Sequence, residues 1–81
     1  MKKVFYFVEI SYFDSKYKKH ILCIAGKGGK RIFTEADVKL RKYGFLTCNS
    51  AYNAIRKLQQ EDRNMGFPFN CYSVVERKVV C

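Results

Sequence analysis

Four cysteines and one histidine carry most of the chemical potential of this 81-residue chain. Cys23, Cys48, Cys71 and Cys81 form no Cys-x-x-Cys pair, so spacing alone does not mark a zinc site. Strand geometry narrows the choice. At about 3.3 Å of rise per residue, Cys71 and Cys81 on one strand stand roughly 30 Å apart and cannot share an ion. A last strand antiparallel to the preceding helix brings Cys81 back towards Cys48, and a hairpin followed by a crossover leaves Cys23 near that edge. Cys23, Cys48 and Cys81 are therefore the candidate zinc ligands, with His20 or a second chain supplying a fourth. His20 lies three positions from Cys23, so on a regular strand it faces the other side. The competing expectation is inert thiols and no cofactor.

Catalysis finds little to build on. Cys48 follows Thr47 at the start of an expected helix, where a helix N-terminus favours a thiolate nucleophile. Nothing in the spacing sets His20 beside it, and the seven acidic residues show no pairing suited to acid–base work. The run GKGGKR at 26–31 invites comparison with a phosphate-binding loop. Ile24 stands where that loop needs its first glycine, and Arg31 replaces its hydroxyl residue. Glycines at a hairpin turn that requires positive φ explain the run more simply. The chain is read as non-enzymatic, without a small-molecule substrate.

Charge is the stronger signal. Sixteen basic residues against seven acidic ones give a net charge of +9. Residues 15–34 hold Lys16, Lys18, Lys19, Lys27, Lys30 and Arg31 with no carboxylate, and residues 38–60 hold Lys39, Arg41, Lys42, Arg56 and Lys57 with none. Acid-free stretches can form a positive face for phosphates or an acidic protein. The expected partner-binding residues are Lys27, Lys30, Arg31 and Lys39 in the first half, then Arg41, Lys42, Arg56 and Lys57. The plainer alternative is a solvated surface that keeps a small domain soluble.

Eighty-one residues make one domain, which buries only about 60% of its unfolded surface and has no room for a deep cleft. A hydrophobic content of 48% argues against disorder. No apolar run approaches the ~20 residues of a membrane span. The N-terminal run ends at Glu9 after five apolar residues, short of the roughly 7–15 of a secretory signal. The expected location is a cytosol, with reduced thiols and no disulfide framework.

The elements that must position these residues follow from periodicity. Residues 3–13 alternate, with Val4, Tyr6, Val8, Ile10 and Tyr12 on one face and Phe5, Phe7 and Phe13 on the other. Asp14 and Ser15 supply a turn, and 19–25 reads as an antiparallel second strand. Residues 31–34 suggest a short third strand, and 35–38 a helical turn. Ala51, Ala54, Ile55 and Leu58 form a helical stripe behind the N-cap Thr47, which Gly66 and Pro68 bring to an end. Residues 70–80 close the sheet. The fold class is α+β: an antiparallel three- or four-stranded sheet with one main helix packed on one face.

Two resemblances attach to these residues. RKYGFLTC at 41–48, followed by NSAYNAIRKL, resembles the RNA-recognition-motif signature over about 41–60, and implies a nucleic-acid-binding module. The chain lacks that motif's helix between its first two strands, and Cys48 replaces one stacking aromatic. The order Lys42-Tyr43-Gly44-Phe45-Leu46-Thr47, then Ala51 to Ile55, then Val75-Glu76, resembles small phage-encoded accessory proteins over most of 40–77. Some of these resemble anti-CRISPR proteins, which block Cas nucleases. That resemblance implies a non-enzymatic binder and inhibitor of a host defence protein, such as a Cas9-type nuclease, acting in the host cytosol. At +9, the chain is no DNA mimic.

Overall fold

Alternation in the first strand governs the architecture. In a computed structural model that describes residues 2–32 and 43–80, Lys2–Phe13 forms β1, with Phe7 and Val8, neighbours on opposite faces, both fully buried. A strand covered on both faces belongs in the middle of a sheet, and β1 is central. β2 (Lys19–Ala25) and β4 (Cys71–Val80) flank it, and the short β3 (Arg31–Ile32) pairs with β2, giving the order β3-β2-β1-β4, antiparallel throughout. The α+β reading with one main helix describes this fold. Phe33 and Thr34 of the expected third strand, and the helical turn at 35–38, lie outside the described residues.

Register decides what projects. β4 follows β1 from Lys2↔Val80 to Ser11↔Cys71, whereas β2 follows it from Val8↔Ala25 to Phe13↔Lys19. Tyr12 and Phe13 therefore pair with β2 alone, and the β1–β2 hairpin extends past β4. A bulge leaves Leu22 without an opposite residue between Ile10↔Cys23 and Ser11↔Ile21. Where β2 ends, Phe45 takes its place beside Tyr6 through two backbone hydrogen bonds of 2.9 and 2.8 Å.

Two glycines allow that join through lack of a side chain rather than unusual φ. A Cβ on Gly44 would lie 2.7 Å from the Phe5 Cβ, and one on Gly26 would lie 2.2 Å from the Tyr43 carbonyl oxygen. Tyr43 and Phe45 both pack against the core. Gly28 and Gly29, in the short 3-10 turn Lys27–Gly29, carry the positive φ expected of a turn.

The helix α1 (Cys48–Asn64) is capped at both ends. Thr47 Oγ1 accepts the Ser50 amide at 3.2 Å. At the other end Gly66 (φ 92) lets the Phe67 amide reach the Asp62 carbonyl at 2.7 Å and its own amide reach that of Arg63 at 3.2 Å, a Schellman closure. Ala51 and Leu58 are buried against Val8, Ile10, Cys23 and Ala25, with Ala54 and Ile55 packed beside them. Burial of a Leu-sized side chain stabilises by about 1.5–3 kcal/mol, so this stripe, rather than helix propensity, holds α1 to the sheet. On the opposite face Phe5, Phe7, Ile24 and Ile32 make a second cluster with Tyr43 and Val75.

Candidate functional site

The helical stripe continues one turn beyond Leu58, and there it changes character. Position 62, four residues on, is an aspartate that is only 3% exposed. A buried carboxylate needs partners, and two strands and the loop before β4 supply them. Arg31 Nη2 from β3 donates to Asp62 Oδ1 at 2.7 Å, Asn70 Nδ2 donates to Oδ2 at 3.3 Å, and the Tyr72 hydroxyl of β4 donates to the same oxygen. Burial, then the hydrogen bond to Asp62, pushes the Tyr72 phenol pKa well above its ordinary value of 10.0. Glu61 stands 3.7 Å from Arg31 as a second, looser counter-charge.

This hub holds one of the expected contact residues, Arg31. The Arg31 guanidinium turns inward to a buried carboxylate and ties β3 to α1. Position 62 follows 51, 55 and 58 at helical spacing, so an acid on the buried stripe, with an acid-free stretch upstream, was the available signal for the pair.

Among the other expected contact residues, Lys27, Lys30, Arg56 and Lys57 are exposed and form no ion pair among the described residues. Lys30 lies 5.7 Å from the centre of the Tyr43 ring. Lys57 lines an open groove of about 420 Å³ between α1 and the glycine turn, together with Gly28, Gly29, Ser50, Asn53 and Glu61. Arg56, one position earlier, is not part of that lining. Lys39, Arg41 and Lys42 lie outside the described residues.

Of the three candidate thiols, Cys23 and Cys48 do not meet as the simple crossover path predicts. Cys23 borders the same groove as Arg31 and Asp62, at the C-terminal end of α1. Cys48 is the first residue of α1, fourteen positions before Asp62 and so about 21 Å away along the helix axis. There it hydrogen-bonds with Tyr6, and this contact, ahead of charge and burial, raises the phenol's pKa. Cys23 and Cys48 therefore stand towards opposite ends of the helix, because β2 reaches Cys23 before, not after, it draws level with Tyr6. Cys81 lies outside the described residues. Among the described residues no three of His, Cys, Asp and Glu converge as metal ligands would.

The second groove, of about 240 Å³, is bordered by Leu22, Cys23, Met65 and Phe67, with Ile10 and the Arg31–Asp62–Asn70 cluster also along it. The bulge turns Leu22 to this side, and the Schellman closure delivers Phe67. Leu22, Met65, Phe67 and the nearby Phe69 are 46, 68, 52 and 89% exposed. Large exposed apolar side chains that border a groove are candidates for an interaction surface. No helix among the described residues is long and apolar enough to cross a membrane. Comparison with known protein families, with characterised proteins and with solved structures finds no match to this chain.

Proposed function

We propose that this protein works by stoichiometric binding, docking the apolar ridge Leu22, Met65, Phe67 and Phe69 onto a host protein with an acidic surface. One observation carries the reading: these four large side chains are exposed, and three of them, Leu22, Met65 and Phe67, border one groove. Aromatic residues and Met are enriched in the centres of protein interfaces, and burying them supplies binding free energy. The charge of +9 favours an acidic partner surface and speeds encounter with it. The resemblance of residues 40–77 to phage accessory proteins makes a Cas9-type nuclease of the source host the partner to test first.

The test mixes purified nuclease with the full chain and follows complex formation by light scattering after gel filtration. A one-to-one complex is expected, and it should disappear when Leu22 and Phe67 are both replaced by Ser. Both positions are half-exposed, so the domain should remain folded. A complex that survives the double substitution would move docking to another surface, and no complex would remove this partner.

A second reading rests on Lys27, Lys30 and Lys57, which have no ion-pair partner among the described residues. Lys57 lines the larger groove, and Lys27 and Lys30 flank the two glycines that form its other wall. Nucleic acid bound there should dissociate steeply with salt, by counterion release.

A further inference from the structure

The tip of the β1–β2 hairpin carries a residue that suits neither its backbone nor the core. Asp14 to Lys18 close the hairpin: the Tyr17 amide donates to the Asp14 carbonyl at 3.0 Å, and the Asp14 amide donates to the Lys18 carbonyl at 3.0 Å. In such a three-residue loop the last position is left-handed and normally glycine. Here it is Tyr17, at φ 61, the only non-glycine residue with positive φ among those described. Its ring is 88% exposed, so the fold gains no packing from the side chain it accommodates. A strained position holding a side chain with no structural use is a reason to look for an external ligand.

The surroundings define that ligand's chemistry. From Tyr12 to His20 the chain reads YFDSKYKKH: rings and cations, with no aliphatic side chain. Lys16 and Lys18 flank Tyr17, are exposed, and form no ion pair among the described residues. Lys19 is held by Glu9 at 2.6 Å. Asp14 is the one acid in the stretch and is already occupied: Oδ1 accepts the Lys16 and Lys18 amides at 2.8 and 2.9 Å, and Oδ2 lies 2.8 Å from His20 Nε2. Tyr12 stacks on His20 with ring centroids 5.0 Å apart, and Phe13 is 54% exposed. The tip thus offers ring faces between unpaired ammonium groups and little free negative charge.

Exposed rings for bases and flanking cations for phosphates are what sequence-tolerant binding of single strands requires. An apolar protein surface would be met better by aliphatic side chains, which begin only at Ile21 and Leu22, beyond the tip. We infer that the hairpin tip is a single-stranded nucleic-acid contact in which a base stacks on Tyr17 while Lys16 and Lys18 hold the adjoining phosphates. This site is separate from the proposed protein-docking ridge and does not depend on it.

The experiment measures binding of the full chain to fluorescein-labelled oligothymidylate by anisotropy, with a duplex of equal length and poly-glutamate as competitors. The single strand should bind more tightly than either. Tyr17→Gly should weaken it about 5- to 150-fold, the effect of losing one base–aromatic stack, without lowering the melting temperature, because glycine suits the left-handed position. Tyr17→Phe should bind within about twofold of the unmodified chain, since the ring is retained. Replacing Lys16 and Lys18 by Gln should reduce the slope of log affinity against log salt by about 1.4, or 0.7 for each phosphate no longer neutralised. The inference is overturned if Tyr17→Gly binds like the unmodified chain, if poly-glutamate or duplex competes equally well, or if oligothymidylate does not bind.

Discussion

Replacing Asp62 by Ala removes a side chain that joins α1, β3 and β4 through polar contacts. The carboxylate is 3% exposed and accepts from Arg31, Asn70 and Tyr72. Breaking a fully buried ion pair by removing one partner costs about 3–5 kcal/mol. The Arg31 side chain is 26% exposed and has Glu61 at 3.7 Å, so solvent and the second carboxylate recover part of that loss. The stranded Tyr72 hydroxyl and Asn70 amide recover less. A net loss of about 2–4 kcal/mol follows, against a total stability of roughly 4–12 kcal/mol for a domain of this size. Thermal unfolding followed by circular dichroism should then show a midpoint roughly 8–30 °C lower. The double change Asp62→Leu with Arg31→Met should recover much of the loss, since apolar replacement of a buried pair is often neutral or better. A change of under about 0.5 kcal/mol in Asp62→Ala, the range of ordinary surface substitutions, would refute the hub's structural role.

Other perturbations test separate parts of the fold. Because Tyr72 has a raised pKa when folded, its contribution is complete below the unfolded value near pH 10.0 and is lost as pH rises above it, so Tyr72→Phe should flatten the alkaline fall in urea stability relative to the unmodified chain. Gly44→Ala drives a methyl to 2.7 Å from the Phe5 Cβ and should cost about 1–3 kcal/mol by denaturant melting; an unchanged midpoint would contradict the close approach. Asp14 has a lowered pKa, through the His20 contact first and the Lys18 amide next, so its contribution is present above its ordinary 3.8 and is lost as acid protonates it. The Lys16 and Lys18 amide proton shifts should move together with a midpoint below that value, and in Asp14→Asn they should not titrate.

How far the sequence reveals this molecule depends on how local each cause is. Residues 19–25 read as a strand and form one, because alternation and the flanking turn act within a few positions. Thr47 caps α1 through a hydroxyl only three residues from its target amide, and Gly66 ends the helix by the same short-range logic. Non-local causes are harder to read. Gly44 is required by Phe5, thirty-nine positions away, and Gly26 by Tyr43, contacts that no pattern around either glycine reveals. Arg31 reads as a contact charge until Asp62, thirty-one positions on, is known to face it. The thiol set depends on which end of α1 meets Cys23, a question of strand register that composition does not answer. Tyr17 is visible as a residue, but its left-handed backbone is not, since the turn could equally have placed Lys16 or Lys18 there.

The proposed protein-docking ridge at the end of α1 and the proposed nucleic-acid contact at the hairpin tip would together suit an accessory protein acting on nucleic-acid machinery. The proposed stoichiometric action on a host protein is tested by titrating the cleavage activity of a Cas9-type nuclease of the source host with the full chain. Stoichiometric inhibition should give a linear fall in activity that reaches its floor at one equivalent of protein. Continued loss at well below one equivalent, or undiminished cleavage at large excess, would contradict it.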